Sequence, residues 1–190
     1  PLLLSISFSL LAARQPWFPL APHRTLFRSD RGAANPSSVP GSGRAARNAV
    51  EQAREQVGGA IGSRAQDIIF TSGGTEADAL AVHGVVAALD GKCTLLVSAI
   101  EHEAVTKAAA HPGALVQTVY VRGDGTADLD DLKTRMDSWD ADTFGTPVLC
   151  LMIANNETGE IQPVREAAEI AREGGGLTIC DGVQGLGKIP

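Results

Sequence analysis

Asp181 occupies a position at which a carboxylate can do chemistry. It follows a short apolar run at 177–180 and opens the sequence D-G-V-Q-G-L-G-K-I-P. The run is typical of a buried strand, and in open α/β sheets ligands bind at the carboxyl ends of the strands. The carboxylate is therefore either a turn or helix cap, since Asp before Gly is ordinary turn chemistry, or a fixed anion that faces a cofactor.

A glycine-rich helix entry, F-T-S-G-G-T-E at 70–76, is a second candidate site. Glycine lets the backbone come close to a ligand, and a helix start offers unpaired N–H groups and the positive end of the helix dipole. A phosphate there would accept hydrogen bonds from the amides of Gly74 and Thr75 and from the Thr75 hydroxyl. The alternative is an ordinary helix entry with Thr75 as its N-cap. No Gly-Lys-Ser/Thr follows, which excludes a P-loop.

An imidazole and two amides follow two further apolar runs. His102 lies in S-A-I-E-H-E at 98–103, and Asn155 and Asn156 lie in M-I-A-N-N-E-T-G at 152–159. A lone histidine is most often structural, but at the carboxyl end of a strand its ring can stack on a planar cofactor and shuttle protons. The two amides can position a ligand hydroxyl while they turn the chain.

The segments that must position these residues alternate between strand and helix patterns. Such alternation predicts an α/β fold with three layers, α/β/α, built on a mostly parallel sheet that is covered on both faces. The predicted strands span 68–70, 94–97, 116–121, 148–153 and 177–180, and the predicted helices span 44–61, 77–89, 104–110, 129–136 and 164–172.

Composition excludes several classes of function. The 190 residues carry a net charge of −6, and nucleic-acid binding would need a basic stripe instead. The three cysteines, Cys93, Cys150 and Cys180, are far apart and form no Cys/His cluster, so no metal site is predicted. This length supports one sizeable α/β core, or part of a larger one.

The amino-terminal residues 1–34 are left unassigned. Residues 2–12 are apolar but too few to span a bilayer, and no membrane association is predicted. Residues 1–29 contain arginines but no Asp or Glu, which resembles an organellar transit segment, while a non-native leader remains the alternative. The expected location is therefore cytoplasmic or mitochondrial. Because the first residue is Pro, we expect an incomplete or processed amino end.

Four motifs, in this order, resemble the cysteine desulfurases, which belong to the class V aminotransferase group of pyridoxal-phosphate (PLP) enzymes. They are F-T-S-G-G-T-E-A, E-H-E-A-V, A-N-N-E-T-G-E-I-Q-P and D-G-V-Q-G-L-G-K-I-P. The sequences N-P-S-S at 35–38 and G-R-A-A-R at 43–47 also look like the early helix entry of that family. The resemblance implies that residues 35–190 form the amino-terminal part of the large domain of an aspartate aminotransferase-like enzyme. The rest of that domain and a small domain would lie beyond.

The resemblance also implies roles for the candidate residues. Gly74 and Thr75 match the positions that hold the PLP phosphate at a helix N-terminus. His102 matches the histidine that stacks on the pyridine ring and takes part in proton transfer.

Three further positions face the ring in the family. Asn156 matches the amide that contacts the 3-hydroxyl oxygen, and Gln184 matches another ring contact. Asp181 matches the partner of the pyridine nitrogen. A carboxylate there keeps this nitrogen protonated, so that the ring can accept electrons from a substrate carbanion.

The implied reaction removes sulfur from L-cysteine or a related amino acid. It leaves alanine and a persulfide on an enzyme cysteine, from which sulfur passes to an iron–sulfur scaffold or another sulfur-acceptor protein. The full-length enzyme is expected to be a homodimer. The alternatives are another class V enzyme, such as a selenocysteine lyase or an aminotransferase, and a catalytically dead truncated product.

Two groups that the reaction needs find no match in the chain. The family's Schiff-base lysine and sulfur-accepting cysteine lie C-terminal to the G-K-I-P segment, and neither Lys188 nor any of the three cysteines corresponds to them. Pro40 stands where many members have histidine. We therefore expect the 190-residue chain alone to be a poorly soluble and inactive fragment.

Overall fold

The computed structural model describes residues 2–5, 37, 41–110 and 113–189. The chain divides into two compact units, one formed by residues 1–10 and 71–190 and the other by residues 11–70. The smaller unit contains helix α1 (Gly41–Ile61) and a 3₁₀ turn at Ala65–Asp67. No helix among the described residues is long and apolar enough to cross a membrane.

The larger unit is built on a five-stranded sheet. Its order is β1-β5-β4-β2-β3, and every pairing is parallel. The strands are β1 (Leu2–Ser5), β2 (Cys93–Ser98), β3 (Leu115–Val119), β4 (Thr146–Cys150) and β5 (Leu177–Asp181), and the helices are α2 (Gly74–Ala88), α3 (Glu103–Ala109), α4 (Leu129–Asp137), α5 (Ala141–Phe144) and α6 (Val164–Glu173).

Two apolar cores cover the opposite faces of this sheet. Helices α2 and α3 pack on one face and helices α4 and α6 on the other. Successive side chains of a strand point to opposite faces, and β2 shows this directly. Leu95 and Val97 belong to the first core, whereas Leu96 belongs to the second. The three-layer α/β/α prediction is confirmed.

Strand β4 lies between β2 and β5, and this order brings the ends of three strands together. The β2–β4 register runs to Val97↔Cys150, and Cys150 is also paired with Ile179 of β5. Beyond β4, the amide of Ile153 still donates to the carbonyl of Asp181 at 2.9 Å. The loops that follow β2, β4 and β5 therefore emerge at the same edge of the sheet.

The strand predicted at 68–70 does not form. Ile69 and Phe70 are 65% and 40% exposed, so these apolar residues do not enter a sheet core. The carbonyl of Ile68 instead accepts a hydrogen bond from the guanidinium of Arg54, which also lies 5.1 Å from the centroid of the Phe70 ring. This arginine of α1 therefore contacts one main-chain carbonyl and one ring of the segment.

Two elements were not predicted. Leu2–Ser5 pairs with β5 as an edge strand, although the sequence analysis left residues 1–34 unassigned. Helix α5 lies between the predicted helix at 129–136 and the predicted strand at 148–153, and its N-cap Asp140 accepts a hydrogen bond from the amide of Asp142. The rest of the transit-like segment, the sequence N-P at 35–36 and Pro40 lie outside the described residues.

We expect Gly145→Ala to destabilise the protein far more than Gly159→Ala. Both glycines have a left-handed backbone, with φ of 67° and 79°. A Cβ on Gly145 would also overlap the backbone of Lys92, whereas the space around Gly159 is open. We expect losses in the free energy of unfolding of about 2–4 kcal/mol at Gly145 and about 1 kcal/mol at Gly159. Urea unfolding measures both, and equal losses would contradict the packing argument.

Candidate functional site

A cleft of about 180 Å³ opens at the edge of the sheet where these strands end. Its walls come from the start of α2 and from the loops after β2, β4 and β5. All six residues to which the resemblance assigns a role line it: Gly74, Thr75, His102, Asn156, Asp181 and Gln184. Three further residues line it as well: Asp78, Met152 and Val183. The structure therefore brings the predicted residues together, while their roles stay predictions.

The start of α2 presents main-chain donors to the cleft. The N-cap is Gly73, and no side chain caps the helix, so the interpretation of Thr75 as N-cap is wrong. The first N–H groups of an α-helix have no acceptor within the helix. Gly74 and Thr75 stand at those positions and line the cleft. This end of α2 is therefore suited to an anion.

The one acid in the first turn of α2 is already bonded. Glu76 Oε2 accepts hydrogen bonds from the Ser72 amide at 2.7 Å and from the Ser72 hydroxyl at 2.5 Å. These bonds, the side-chain bond first, hold the pKa of Glu76 below its usual value. The Glu76 carboxylate is therefore bonded to Ser72, in the segment that precedes the helix.

His102 caps the next helix. Its Nδ1 accepts a hydrogen bond from the amide of Ala104 at 3.2 Å, at the N-terminus of α3. An acceptor nitrogen carries no proton, so Nε2 is the protonated nitrogen in the neutral ring. The cap fixes the imidazole at the cleft and leaves Nε2 for a ligand.

The two asparagines of the A-N-N motif divide their tasks. Asn155 Oδ1 accepts from the amides of Glu157 and Thr158 at 2.9 Å each, and its Nδ2 donates to the carbonyl of Ile100 at 3.0 Å. Asn156 is exposed and lines the cleft. Asn155 therefore builds the turn, and Asn156 is the amide that the turn presents.

The interpretation of Asp181 as a turn former is confirmed, and its interpretation as an anion that faces a cofactor stays a prediction. Its Oδ1 accepts from the amide of Val183 at 2.9 Å, which is the turn-forming bond. Its side chain also lines the cleft, although the residue is only 8% exposed. Gln184 follows in the same turn, and its Oε1 accepts from Lys188 Nζ at 2.7 Å.

Sequence reasoning missed two acids beside the cleft, of which Asp78 is buried and Glu101 is half-buried. Asp78 is 2% exposed and lies on the same face of α2 as Val82 and Val85. Its spacing of four and seven residues from these valines was a signal that a carboxylate enters the apolar face.

Glu101 is the second missed acid, and nothing in its local sequence separates it from an exposed loop residue. Its Oε1 accepts from the amide of Met152 at 2.5 Å, while its Oε2 is buried and has no hydrogen-bond partner among the described residues. Burial raises the pKa of Glu101 to about 8. The bond from Met152 lowers the pKa, and the charges of Asp181 and Asp78 raise it further.

The three cysteines are all free and buried. Burial raises the pKa of Cys180 to about 12, and it raises the pKa of Cys93 and Cys150 above the usual value as well. Thiolates are the reactive form of cysteine, so these three are poor nucleophiles. Among the described residues, no group of three or more His, Cys, Asp or Glu side chains forms a metal site.

Comparisons with known proteins agree on one family. The model of the aminotransferase class-V family matches residues 25–190. A cysteine desulfurase of Frankia sp. (strain EuIK1) is 38% identical over 169 residues, which cover 83% of this chain and 39% of that protein. The chain thus spans about two fifths of the length of this relative.

Solved structures show the same similarity. A NifS-like protein superposes with a TM-score of 0.76 and 33% identity, and the match covers 88% of this chain and 45% of the other. A structure described as SspA in complex with cysteine superposes with a TM-score of 0.69 and 26% identity, over 84% of this chain and 45% of the other.

We expect Asn155→Ala to cost about 2–3 kcal/mol of unfolding free energy, because three hydrogen bonds to main-chain groups are lost at about 1 kcal/mol each. The matched change Asn156→Ala should cost less than about 0.5 kcal/mol, since this side chain is exposed. Urea unfolding of the two variants distinguishes them. Similar losses at the two positions would contradict the division of tasks.

Proposed function

We propose, because the chain belongs to the class-V aminotransferase family, that its cleft binds pyridoxal 5′-phosphate and that the whole protein is a cysteine desulfurase. The observation that carries the proposal is the cleft itself. Six residues named from the sequence, spread from Gly74 to Gln184, line one cavity together. When bound, the cofactor would supply an electron sink for a carbanion formed on an amino-acid substrate.

The phosphate fits the start of α2. The amides of Gly74 and Thr75 are free of helix partners, and the Thr75 hydroxyl adds a donor at the same place. The positive end of the helix dipole favours an anion there. Glu76 does not compete with the phosphate for these donors, because it is bonded to Ser72.

The pyridine nitrogen fits Asp181. This carboxylate is nearly buried and is fixed in direction by its bond from the Val183 amide. Two unit charges about 4 Å apart attract by about 4 kcal/mol at an effective dielectric of about 20. On that scale, Asp181 would hold a proton on the ring nitrogen near neutral pH.

His102 and Asn156 would act on the faces and edge of the ring. The cap at Nδ1 holds the His102 imidazole against the cleft, where the ring would stack on the cofactor and exchange a proton at Nε2. Asn156, presented by the turn that Asn155 builds, would donate to the 3-hydroxyl oxygen, and Gln184 would contact the ring.

L-cysteine is the proposed substrate. The name of the Frankia relative and the bound cysteine in the SspA structure support this choice. The burial of Cys93, Cys150 and Cys180 argues that a different cysteine receives the sulfur. The proposal for the whole protein also includes a lysine that anchors the cofactor and, separately, the cysteine that receives the sulfur. It further includes a second domain, a homodimer and an iron–sulfur scaffold as the sulfur acceptor.

Asp181→Asn should weaken PLP binding to the purified protein by roughly 10- to 100-fold, because it removes the charge that pairs with the ring nitrogen. Asp137→Asn is the matched control. It alters an exposed ion pair with Lys133, and it should leave the PLP dissociation constant unchanged. Titration by PLP fluorescence measures both variants. Equal affinities for Asp181→Asn and the unchanged protein would refute the assignment of the ring nitrogen.

The whole protein, loaded with PLP, should convert L-cysteine to alanine and release sulfide in the presence of a thiol. Chromatographic assay of alanine tests this directly. A protein that binds PLP but forms no alanine from cysteine, while it transaminates other amino acids, would move the proposal to another class V activity.

A further inference from the structure

We propose that Glu101 is a positioning residue of this cleft, held as a neutral carboxylic acid behind Met152, and that it fixes the turn that presents Asn156 to the cofactor. The inference rests on the proposed function, because the ligand in question is PLP. Glu101 itself does not line the cleft.

First, two hydrogen bonds join the loop after β2 to the loop after β4, beyond the end of the sheet. Main-chain pairing between β2 and β4 ends at Val97↔Cys150. Past that point, Glu101 Oε1 accepts from the Met152 amide, and Asn155 Nδ2 donates to the carbonyl of Ile100. In both bonds the loop that carries Asn156 donates and the loop that carries His102 accepts. These bonds take the place of the missing strand pairing.

The second step is the charge of Glu101. Its Oε2 is inaccessible to water and has no hydrogen-bond partner within the described part of the chain, which a carboxylate tolerates poorly. The titratable groups that interact with Glu101 from neighbouring elements are Asp78 of α2, Cys150 of β4, and Cys180 and Asp181 of β5. Aspartate and cysteine side chains are either neutral or negatively charged, so none of these groups is a counter-charge for Glu101.

The immediate neighbours of Glu101 in the chain do not supply a counter-charge for it. Glu103 is acidic and forms its ion pair with Lys107 at 2.8 Å. His102 uses Nδ1 to cap α3. A neutral acid at position 101 therefore suits the surroundings better than an anion.

The third step is the consequence for the cleft. Burial raises the pKa of Glu101 above its usual value. The arrangement in which Glu101 bonds to the Met152 amide is therefore favoured at low pH, and it loses stability as the pH rises through about 8. An ionised Glu101 gains by reaching water, which would release the Met152 amide and loosen both loops. PLP, which needs both loops in place, should then bind less tightly.

A test without cofactor follows the Met152 amide. In the whole protein, ¹⁵N-methionine labelling reports this amide, and Met152→Leu assigns its signal. In the unchanged protein this amide should shift with a midpoint above pH 7, and the step should vanish in Glu101→Gln. The Met136 amide, in α4, is the internal control. A midpoint below pH 6, or a step that persists in Glu101→Gln, would overturn the neutral-acid assignment.

A second test measures the dissociation constant for PLP at pH 7 and pH 9. Glu101→Gln keeps an acceptor for the Met152 amide but cannot ionise. Relative to this variant, the unchanged protein should lose roughly tenfold in affinity between the two pH values. Parallel pH profiles would overturn the role of Glu101 alone. No PLP binding by the unchanged protein at pH 7 would overturn the proposed function, and the positioning role with it.

Discussion

The parallel register of β2, β4 and β5 is the constraint on which the site depends. Cys150 of β4 is paired with Val97 on one side and with Ile179 on the other, so the three strands end at one level. A slip of one residue would exchange the side chains of the two cores, because alternate residues of each strand face opposite helical layers. The apolar packing that stabilises the sheet therefore also determines where His102, Asn156 and Asp181 lie.

Beyond the ends of the strands, hydrogen bonds of polar side chains hold the loops in place of main-chain pairing between strands. The side chain of Glu101 bonds to the main chain of Met152, that of Asn155 to the main chain of Ile100, and that of Asp181 to the main chain of Val183. The resulting cleft is polarised, because the donor end of α2 favours an anion while buried carboxylates favour a cation. A ligand that carries both a phosphate and a protonated ring nitrogen matches that polarity. The charges of Asp181 and Asp78 also raise the pKa of Glu101, so the charge state of Glu101 depends on both.

The sequence predicted most of the fold and most members of the site. Where its predictions failed, the physical reasons can be identified. The apolar strands β2, β4 and β5 and the helices between them follow from periodicity, and six of the nine cleft residues follow from the motifs. Ile68 and Phe70 look like a strand locally, but Arg54, some 14 residues away, contacts both of them. Gln162 belongs to a motif, yet it is buried and bonds to the main chain at Ala127 and Gly125, which is a structural task. Only the three-dimensional structure reveals such long-range partners, and the same holds for the burial of Glu101.

The central claim is that the cleft holds PLP with Asp181 against a protonated ring nitrogen. The most direct measurement is the ¹⁵N NMR shift of PLP labelled at the pyridine nitrogen and bound to the purified protein at pH 8. The account predicts the shift of a pyridinium, and a change to the shift of a neutral pyridine in Asp181→Asn. A neutral pyridine in the unchanged protein, or a pyridinium signal indifferent to Asp181, would contradict it.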